Sequence, residues 1–424
     1  MEQHRPLASW VNVSTDSDFT IHNIPFGVYV SSTGEAHCCT VIGDVIVDLA
    51  ALAERGFFQH IKGFHSKVLE RSSLNAFIAL GKECTNAVRD RLIQILSVGN
   101  QELQSRTEIL EKVFVSLASS RMVMPLEVGD YTDFYSSKEH ASHIGAMLRD
   151  PQNPLLPNWC HLPVAYHGRA SSIAISGTPV IRPVGQYKAN PLDAVPIVGP
   201  TQRLDYELEL AFVIGKNSTL GERISIHEAE DYIFGFQLFN DWSARDIQSW
   251  EYAPLGPFLS KNFLSSVSPW IVTTEALAPF KVPGPLPDVP LLPYLQIDGA
   301  HNYDIDVEVH LSPEGEDPEM ITRSNFRYMY WNVRQQLAHH TLTGCNVKVG
   351  DLMASGTISG PGEREQGCLM ELTRNGQSPL LLKDGTRRSF LHDGDTVIMK
   401  ASASGSGRRI GFGSVVGKVA TARN

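Results

Sequence analysis

Cysteine is sparse and unpatterned in this chain. Six are scattered over 424 residues with no C-x-x-C pair, and Cys38 and Cys39 are adjacent, a spacing that suits neither a bridge nor zinc. A disulfide scaffold is excluded, and reduced thiols are expected. Charge of one sign is never concentrated. No five like charges run together and the net charge is −10, so a phosphate backbone is not the natural partner. Long apolar runs are missing too: stretches such as Cys39–Ile42 and Ala211–Ile214 fall far short of a bilayer span. Residues 1–6 lack the basic-then-apolar order of an export signal, and residues 421–424 form no recognised address. The expectation is a soluble cytoplasmic protein with neither nucleic acid nor membrane as partner. No G-x-S-x-G elbow and no Walker lysine occur, which removes two common catalytic frameworks.

What is present is ordinary globular material, 42% hydrophobic, with 34 Gly and 25 Pro that follow no period. The length predicts two or three domains, or a small one joined to a large one. Short β-like runs at Gly27–Val30, Thr40–Ile42 and Val45–Val47 are broken by Gly34 and Gly43, which predicts a small antiparallel unit. Apolar stripes at Val88, Leu92, Ile95 and Leu96, then at Leu110, Val113, Phe114 and Leu117, predict helices. A boundary near Arg121–Pro125 divides the chain into 1–122 and 123–424.

Beyond that boundary strands dominate: Thr178–Pro183, Tyr206–Ile214, Pro269–Thr273, Leu295–Ile297, Asp306–Leu311, Thr396–Lys400 and Gly411–Val419. Helices are expected at Tyr135–Arg149, opened by a Ser136–Glu139 capping box, and at Ser324–His340. Strands outnumber crossover helices, so the fold class is mainly β, an irregular and mostly antiparallel roll or barrel with peripheral helices.

The sharpest local pattern is Asp205-Tyr206-Glu207-Leu208-Glu209-Leu210. On a strand Glu207 and Glu209 share one face, about 7 Å apart, and repel each other unless a cation or proton lies between them. The strand continues into four apolar residues, so both faces become buried and the pair points to a cation site. Asn240–Asp246 and Asp130–Tyr135 add further acids. Oxygen donors of this kind suit a hard ion, Ca2+ or Mg2+, rather than zinc. Among 15 histidines, His140 follows Asp133 closely on a helix N-terminus, which favours a neutral imidazole; His143, His167 and the His339-His340 pair compete with it. Arg149, Arg245 and Lys261 could receive an anion. Ser355–Gly362 is a glycine-rich turn whose amides could approach a carboxylate.

Seven strings together resemble the fumarylacetoacetate hydrolase family: Asp130-Tyr-Thr-Asp-Phe-Tyr-Ser-Ser, Leu162-Pro-Val-Ala-Tyr-His-Gly-Arg-Ala-Ser-Ser, Glu207-Leu-Glu, Asn240-Asp-Trp-Ser-Ala-Arg-Asp-Ile-Gln, Trp250-Glu-Tyr-Ala-Pro-Leu-Gly-Pro-Phe, Ala354-Ser-Gly-Thr-Ile-Ser-Gly and Ile410-Gly-Phe-Gly. The resemblance extends over nearly the whole chain. It implies a small SH3-like N-terminal β domain, a C-terminal mixed β-roll and a homodimer. It also implies metal-dependent hydrolysis of 4-fumarylacetoacetate to fumarate and acetoacetate, the last step of tyrosine and phenylalanine breakdown. By the same resemblance Asp133, Glu207, Glu209 and Asp241 match metal ligands, and Lys261 and Ser265 fall in a second-cation neighbourhood, Ser265 replacing a Thr. His140 matches the general base and Glu371 its orienting carboxylate; Lys261 and Gln248 would stabilise the developing oxyanion. Tyr135, Arg149, Tyr166, Gln248, Tyr252 and Thr357 match substrate contacts. Hydrolysis of acylpyruvates, decarboxylation or isomerisation of other metal-chelating keto acids, and metal-dependent binding without turnover are the alternatives.

Overall fold

A computed structural model describes residues 7–190 and 192–423. The readings of residues 1–6 and of Asn424 lie outside the described residues. The N-terminal sheet is antiparallel and five-stranded, in the order Phe114–Ser116, Val45–Asp48, Ala36–Ile42, Phe26–Val30, Arg121–Val123. Phe26–Val30, Ala36–Ile42 and Val45–Asp48 carry β-branched and aromatic residues and are separated where glycine turns the chain, at Gly34 (φ +88°) and Gly43 (φ +55°). The helix Lys82–Leu96 buries Val88, Leu92, Ile95 and Leu96, the stripe its sequence spells out. The second stripe behaves differently. The helix stops at Val113, and Phe114–Ser116 becomes the edge strand against Val45–Asp48. Sheet pairing there overrides the helical period.

The larger part of the chain is built on an eight-stranded sheet. Its path runs Ala165–His167, Tyr131–Phe134, Leu352–Ala354, Leu208–Ile214, Ile233–Asp241, Ser265–Val267, Ile173–Ile175, with Val272–Thr273 also paired to Ile233–Asp241. A five-stranded sheet lies beyond it, with Thr396–Gly405 and Arg408–Ala420 as its longest strands. Most pairings are antiparallel; the parallel ones include Leu352–Ala354 with Tyr131–Phe134.

The central strand Leu208–Ile214 is buried along its whole length. Leu208, Leu210, Phe212 and Ile214 join the core shared with the five-stranded sheet. Ala211 and Val213, on the other face, pack with Phe26, Val28 and Leu92 of the N-terminal region. Period-two alternation therefore places Glu207 and Glu209 on the face toward the N-terminal region, in line with Ala211 and Val213. The same parity holds in neighbouring strands, where Tyr131 and Phe239 belong to that second core and Asp133 and Asp241 follow them at spacing two.

Three further sequence expectations are corrected. The helix after Asp133 runs Lys138–Leu148 and is capped by Ser137, whose hydroxyl accepts from the His140 N–H. No Ser136–Glu139 capping box forms, because the Ser136 hydroxyl is buried against the Gln336 amide at 3.0 Å. Ser324–His340 divides into the end of the strand Glu319–Asn325 and the helix Val333–His340, opened by an Asn332–Gln335 capping box. Leu295 closes a short 3-10 turn, Pro293–Leu295, rather than opening a strand, since Pro293 sets the turn. No described helix is long and apolar enough to cross a membrane.

Candidate active site

Asp133, Glu207, Glu209 and Asp241 come together. One carboxylate oxygen from each lies within 4.8 Å of the others, and all four residues are buried. The sheet brings them there. Leu208 pairs with Asn240, so Glu207 and Asp241 sit side by side and the Asp241 N–H donates to the Glu207 carbonyl at 3.2 Å. Parallel pairing of Asp133 with Ala354 adds the third acid. The glycine-rich turn after Ala354 supplies an amide: the Gly356 N–H donates to Glu209 Oε2 at 3.1 Å. The carboxylate those glycines approach is the protein's own.

Buried acids this close demand opposite charge. Lys261 Nζ donates to Glu207 Oε2 at 2.5 Å and to Asp241 Oδ2 at 2.6 Å. Arg245 donates from Nη1 to Glu207 Oε1 at 2.7 Å and to Gln248 Oε1 at 3.1 Å. Against the penalty of burial, Lys261, Arg245 and then His140 pull the Glu207 carboxyl down to about 2. Burial pushes the Lys261 ammonium the other way, but Asp241 and Glu207 outweigh it and hold the ammonium above its ordinary range. Asp133 and Glu209 lack such partners. Burial first, then the neighbouring carboxylates, raises both well above the usual carboxylate range.

Neutral hydroxyl donors add to the network. Tyr166 donates to Asp241 Oδ2 at 2.7 Å, Tyr131 to Asp133 Oδ2 at 2.9 Å, and Ser265 to Asp241 Oδ1 at 3.1 Å. Asp133 Oδ1 and Glu209 Oε1 stay buried with no hydrogen-bond partner among the described residues. A buried carboxylate oxygen left without a donor is costly. An all-oxygen cluster carrying two such atoms is the donor set of a hard divalent cation, and the residues present fit one.

Beside this cradle lies a cavity of about 340 Å³. Tyr135, His140, Arg149, Tyr166, Gln248, Tyr252, Lys261 and Thr357 all line it, with Asp133, Glu207 and Arg245 at its floor and Arg203 and Asn375 also on its wall. Glu209, Asp241, Ser265 and Glu371 stand behind that lining. His140 Nδ1 is 2.6 Å from Glu371 Oε2, and His143 Nδ1 is 2.8 Å from Glu371 Oε1. Ser359 Oγ and Cys368 Sγ donate to the same Oε2 at 2.9 and 3.3 Å. Burial opposes the charge on Glu371, but the pairing with His140 and His143 overcomes it and holds this carboxyl far below its usual range. With Nδ1 committed to Glu371, the Nε2 of His140 is left as the acceptor of the neutral imidazole. The Thr357 hydroxyl is buried on the cavity wall without a partner among the described residues. Among the described residues Arg149 makes no ion pair; its guanidinium donates to the Pro154 carbonyl at 2.9 Å.

Several sequence candidates fall elsewhere. Asp246 accepts from the Thr201 hydroxyl and, at 2.8 Å, from the Gln202 N–H, as a structural anchor. His340 binds Thr132 Oγ1 at 3.0 Å and packs near His167, away from the acid cluster. The links to Glu371 from His143, Ser359 and Cys368 were not foreseen. The His143 contact spans 228 residues and the Ser359 contact 12, whereas Cys368 lies three residues before Glu371 at the start of the same short helix.

The fumarylacetoacetate (FAA) hydrolase C-terminal family model matches residues 131–420 and the fumarylacetoacetase N-terminal model matches residues 22–125. The chain is 48% identical over 414 residues to the fumarylacetoacetase of Homo sapiens, covering 97% of this chain and 98% of that one. It is 46% identical over 415 residues to the fumarylacetoacetase of Arabidopsis thaliana, covering 97% and 98%. Among solved structures, a fumarylacetoacetate hydrolase from the psychrophile Exiguobacterium antarcticum superposes with a TM-score of 0.53 at 19% identity, covering 94% of this chain and 100% of that one, a likeness of fold.

Proposed function

The chain belongs to the fumarylacetoacetate hydrolase family, and from that premise we propose that it catalyses hydrolysis of 4-fumarylacetoacetate to fumarate and acetoacetate, the closing step of tyrosine and phenylalanine catabolism. The observation that carries this reading is the meeting of four buried carboxylates with the His140–Glu371 pair around one cavity.

Asp133, Glu207, Glu209 and Asp241 hold a divalent cation, Ca2+ or Mg2+, with Ser265 orienting Asp241. Lys261 has no lone pair to offer while it is an ammonium, so it serves as counter-charge and donor rather than ligand. When bound, the cation supplies Lewis acidity toward the oxygens of the diketone.

The protein's own groups do the rest. His140, aimed by Glu371, takes a proton from water, and the oxygen adds to the carbonyl on the fumaroyl side. Lys261, Gln248 and Arg245 donate to the oxyanion that develops. The carbon–carbon bond then breaks, its electron pair leaves with the acetoacetate fragment as an enolate, and the proton on His140 is returned to that carbon. Arg149 grips a terminal carboxylate by its fork, and Tyr135, Tyr166, Tyr252 and Thr357 line the chain of the substrate. The working form is a homodimer in the cytoplasm.

The test is product analysis with the purified protein, a divalent cation, and either 4-fumarylacetoacetate or an acylpyruvate. Fumarate and acetoacetate in equal amounts from the first substrate support the assignment. Turnover of the acylpyruvate alone, or of neither, overturns it.

A further inference from the structure

Asp205 is a fully buried carboxylate that does not line the cavity, yet it accepts four donors. Its Oδ1 takes the N–H of Tyr206 and of Leu369, each at 2.8 Å. Its Oδ2 takes the N–H of Met370 at 3.0 Å and Arg245 Nε at 2.9 Å. Leu369 and Met370 open the short helix Leu369–Leu372, which carries Glu371. That helix has no cap of its own, since the Cys368 side chain makes no capping bond. A first turn with bare N–H groups in a buried setting needs an acceptor, and Asp205 supplies it from across the fold.

The same carboxylate anchors Arg245, whose other end reaches Glu207 and Gln248. Glu371 is thereby joined to the acid cluster through Asp205, Arg245 and Glu207. We infer that Asp205 is a positioning residue for catalysis: it sets the turn that aims Glu371 at His140 and the guanidinium that meets the substrate, from one point two residues ahead of Glu207. This deepens the hydrolase reading and rests on it.

Asp205→Asn keeps the shape and sets an amide nitrogen against N–H donors. Misplacing catalytic groups by an ångström costs up to about 100-fold, so kcat on 4-fumarylacetoacetate should fall by about 10- to 100-fold. KM should stay within about threefold, as no Asp205 atom faces the substrate. A double-mutant cycle separates positioning from general weakening: in a Glu371→Gln background, adding Asp205→Asn should cost less than about a third of its single-mutant loss. Losses that simply multiply, or a single variant within about twofold of wild-type kcat, overturn the inference.

Leu369→Pro is the second variant. It removes one donor to Asp205 at a first helical position, behind a Cys368 already extended (φ −149°, ψ 160°), where proline enters without backbone conflict. It should lower kcat in the same direction, and wild-type kcat there counts against Asp205 even if Asp205→Asn fails to fold. A readout independent of turnover is the proton NMR signal of His140 Nδ1–H, which its 2.6 Å bond to Glu371 should place downfield. It should move upfield in either variant. An unmoved signal sinks the Asp205 role, whereas a wild-type protein that leaves the substrate intact sinks only the reaction assignment.

Discussion

Nδ1 of His140 stands 2.6 Å from Oε2 of Glu371, although 231 residues separate them in the chain. The two arrive from different elements, His140 on the third position of a helix capped by Ser137, Glu371 on a four-residue helix packed against it behind the cavity lining. The carboxylate is held on both oxygens, and this fixes the plane in which the imidazole can lie. A base built this way needs no adjustment when water enters.

Removing the base should therefore be severe. His140→Ala is expected to lower kcat by about 10²–10⁴-fold. Glu371→Gln should also lose activity, because a neutral amide no longer favours one tautomer of His140 or the imidazolium that forms. Steady-state kinetics with saturating cation checks both, and near-wild-type turnover by His140→Ala would remove it from the role of base.

Cation binding should show itself in stability as well as in rate. The carboxyls of Asp133 and Glu209 are raised above their ordinary values of 3.8 and 4.5 by burial first, then by neighbouring carboxylates: Asp241 and Glu207 for Asp133, and Asp133, Glu207 and Asp241 for Glu209. The cation-free folded state thus binds more protons than the unfolded chain at any pH between those values and the raised ones. With more protons on the folded side, stability declines as pH rises through that window. A divalent cation replaces those protons and should remove the decline. The melting temperature of chelator-treated protein should drop from pH 5 to pH 8, and added Ca2+ or Mg2+ should raise it most at the alkaline end. A cation-induced shift that is equal at both ends would argue against these two acids as the titrating pair. Chelation should also abolish turnover while leaving the fold largely intact.

The acid cluster was legible because strand alternation is a strict rule. Glu207 and Glu209 had to share a face, and the apolar run after them had to bury it. The same rule failed where partners decided the conformation. Phe114 continues a helical stripe yet becomes strand at a sheet edge, and the Ser324–His340 pattern conceals a strand end and a turn before the helix proper. Convergence was invisible to local reading. Asp246 and Asp241 look alike in Asn240–Asp246, but only Asp241 ends a strand beside Glu207, while Asp246 faces Thr201. The roles of His140 and Glu371 came from whole-chain resemblance, since nothing in their spacing pairs two residues from opposite ends of the domain.

His340 should set part of the acid sensitivity. Burial, then His167 and His339, depresses its imidazole to about 4, and its Nδ1 has no partner among the described residues. The folded state keeps this group neutral while the unfolded chain would protonate it near its ordinary 6.5. Its contribution is fully present above pH 6.5 and is lost as pH falls toward 4, a penalty of at most about 3 kcal/mol. His340→Gln should flatten the melting-temperature profile between those values without changing kcat at pH 7.5. A profile as steep as that of wild type would assign the acid sensitivity to another group.

Gly356 should tolerate nothing larger. It sits at φ +81°, and a Cβ there would lie 2.1 Å from the Phe134 carbonyl oxygen, far inside contact distance. Its N–H is also the donor to Glu209 Oε2. Gly356→Ala must therefore shift the turn away from Phe134, and Glu209 loses its fixed donor as the turn moves. Backbone conformation alone costs an L-residue about 1–2 kcal/mol at such a φ. Gly385→Ala measures that part by itself, since Gly385 has φ +82° and no atom within 4 Å of its virtual Cβ. The expected outcome is that both variants lose stability, while only Gly356→Ala loses cation affinity, by about tenfold or more if one ligand is mispositioned. Calorimetric titration with Ca2+ or Mg2+ reads the difference. Equal cation affinities in the two variants would mean that the turn holds the backbone and leaves the cradle to the four acids, so that the contact between Gly356 and Glu209 contributes nothing to the ion.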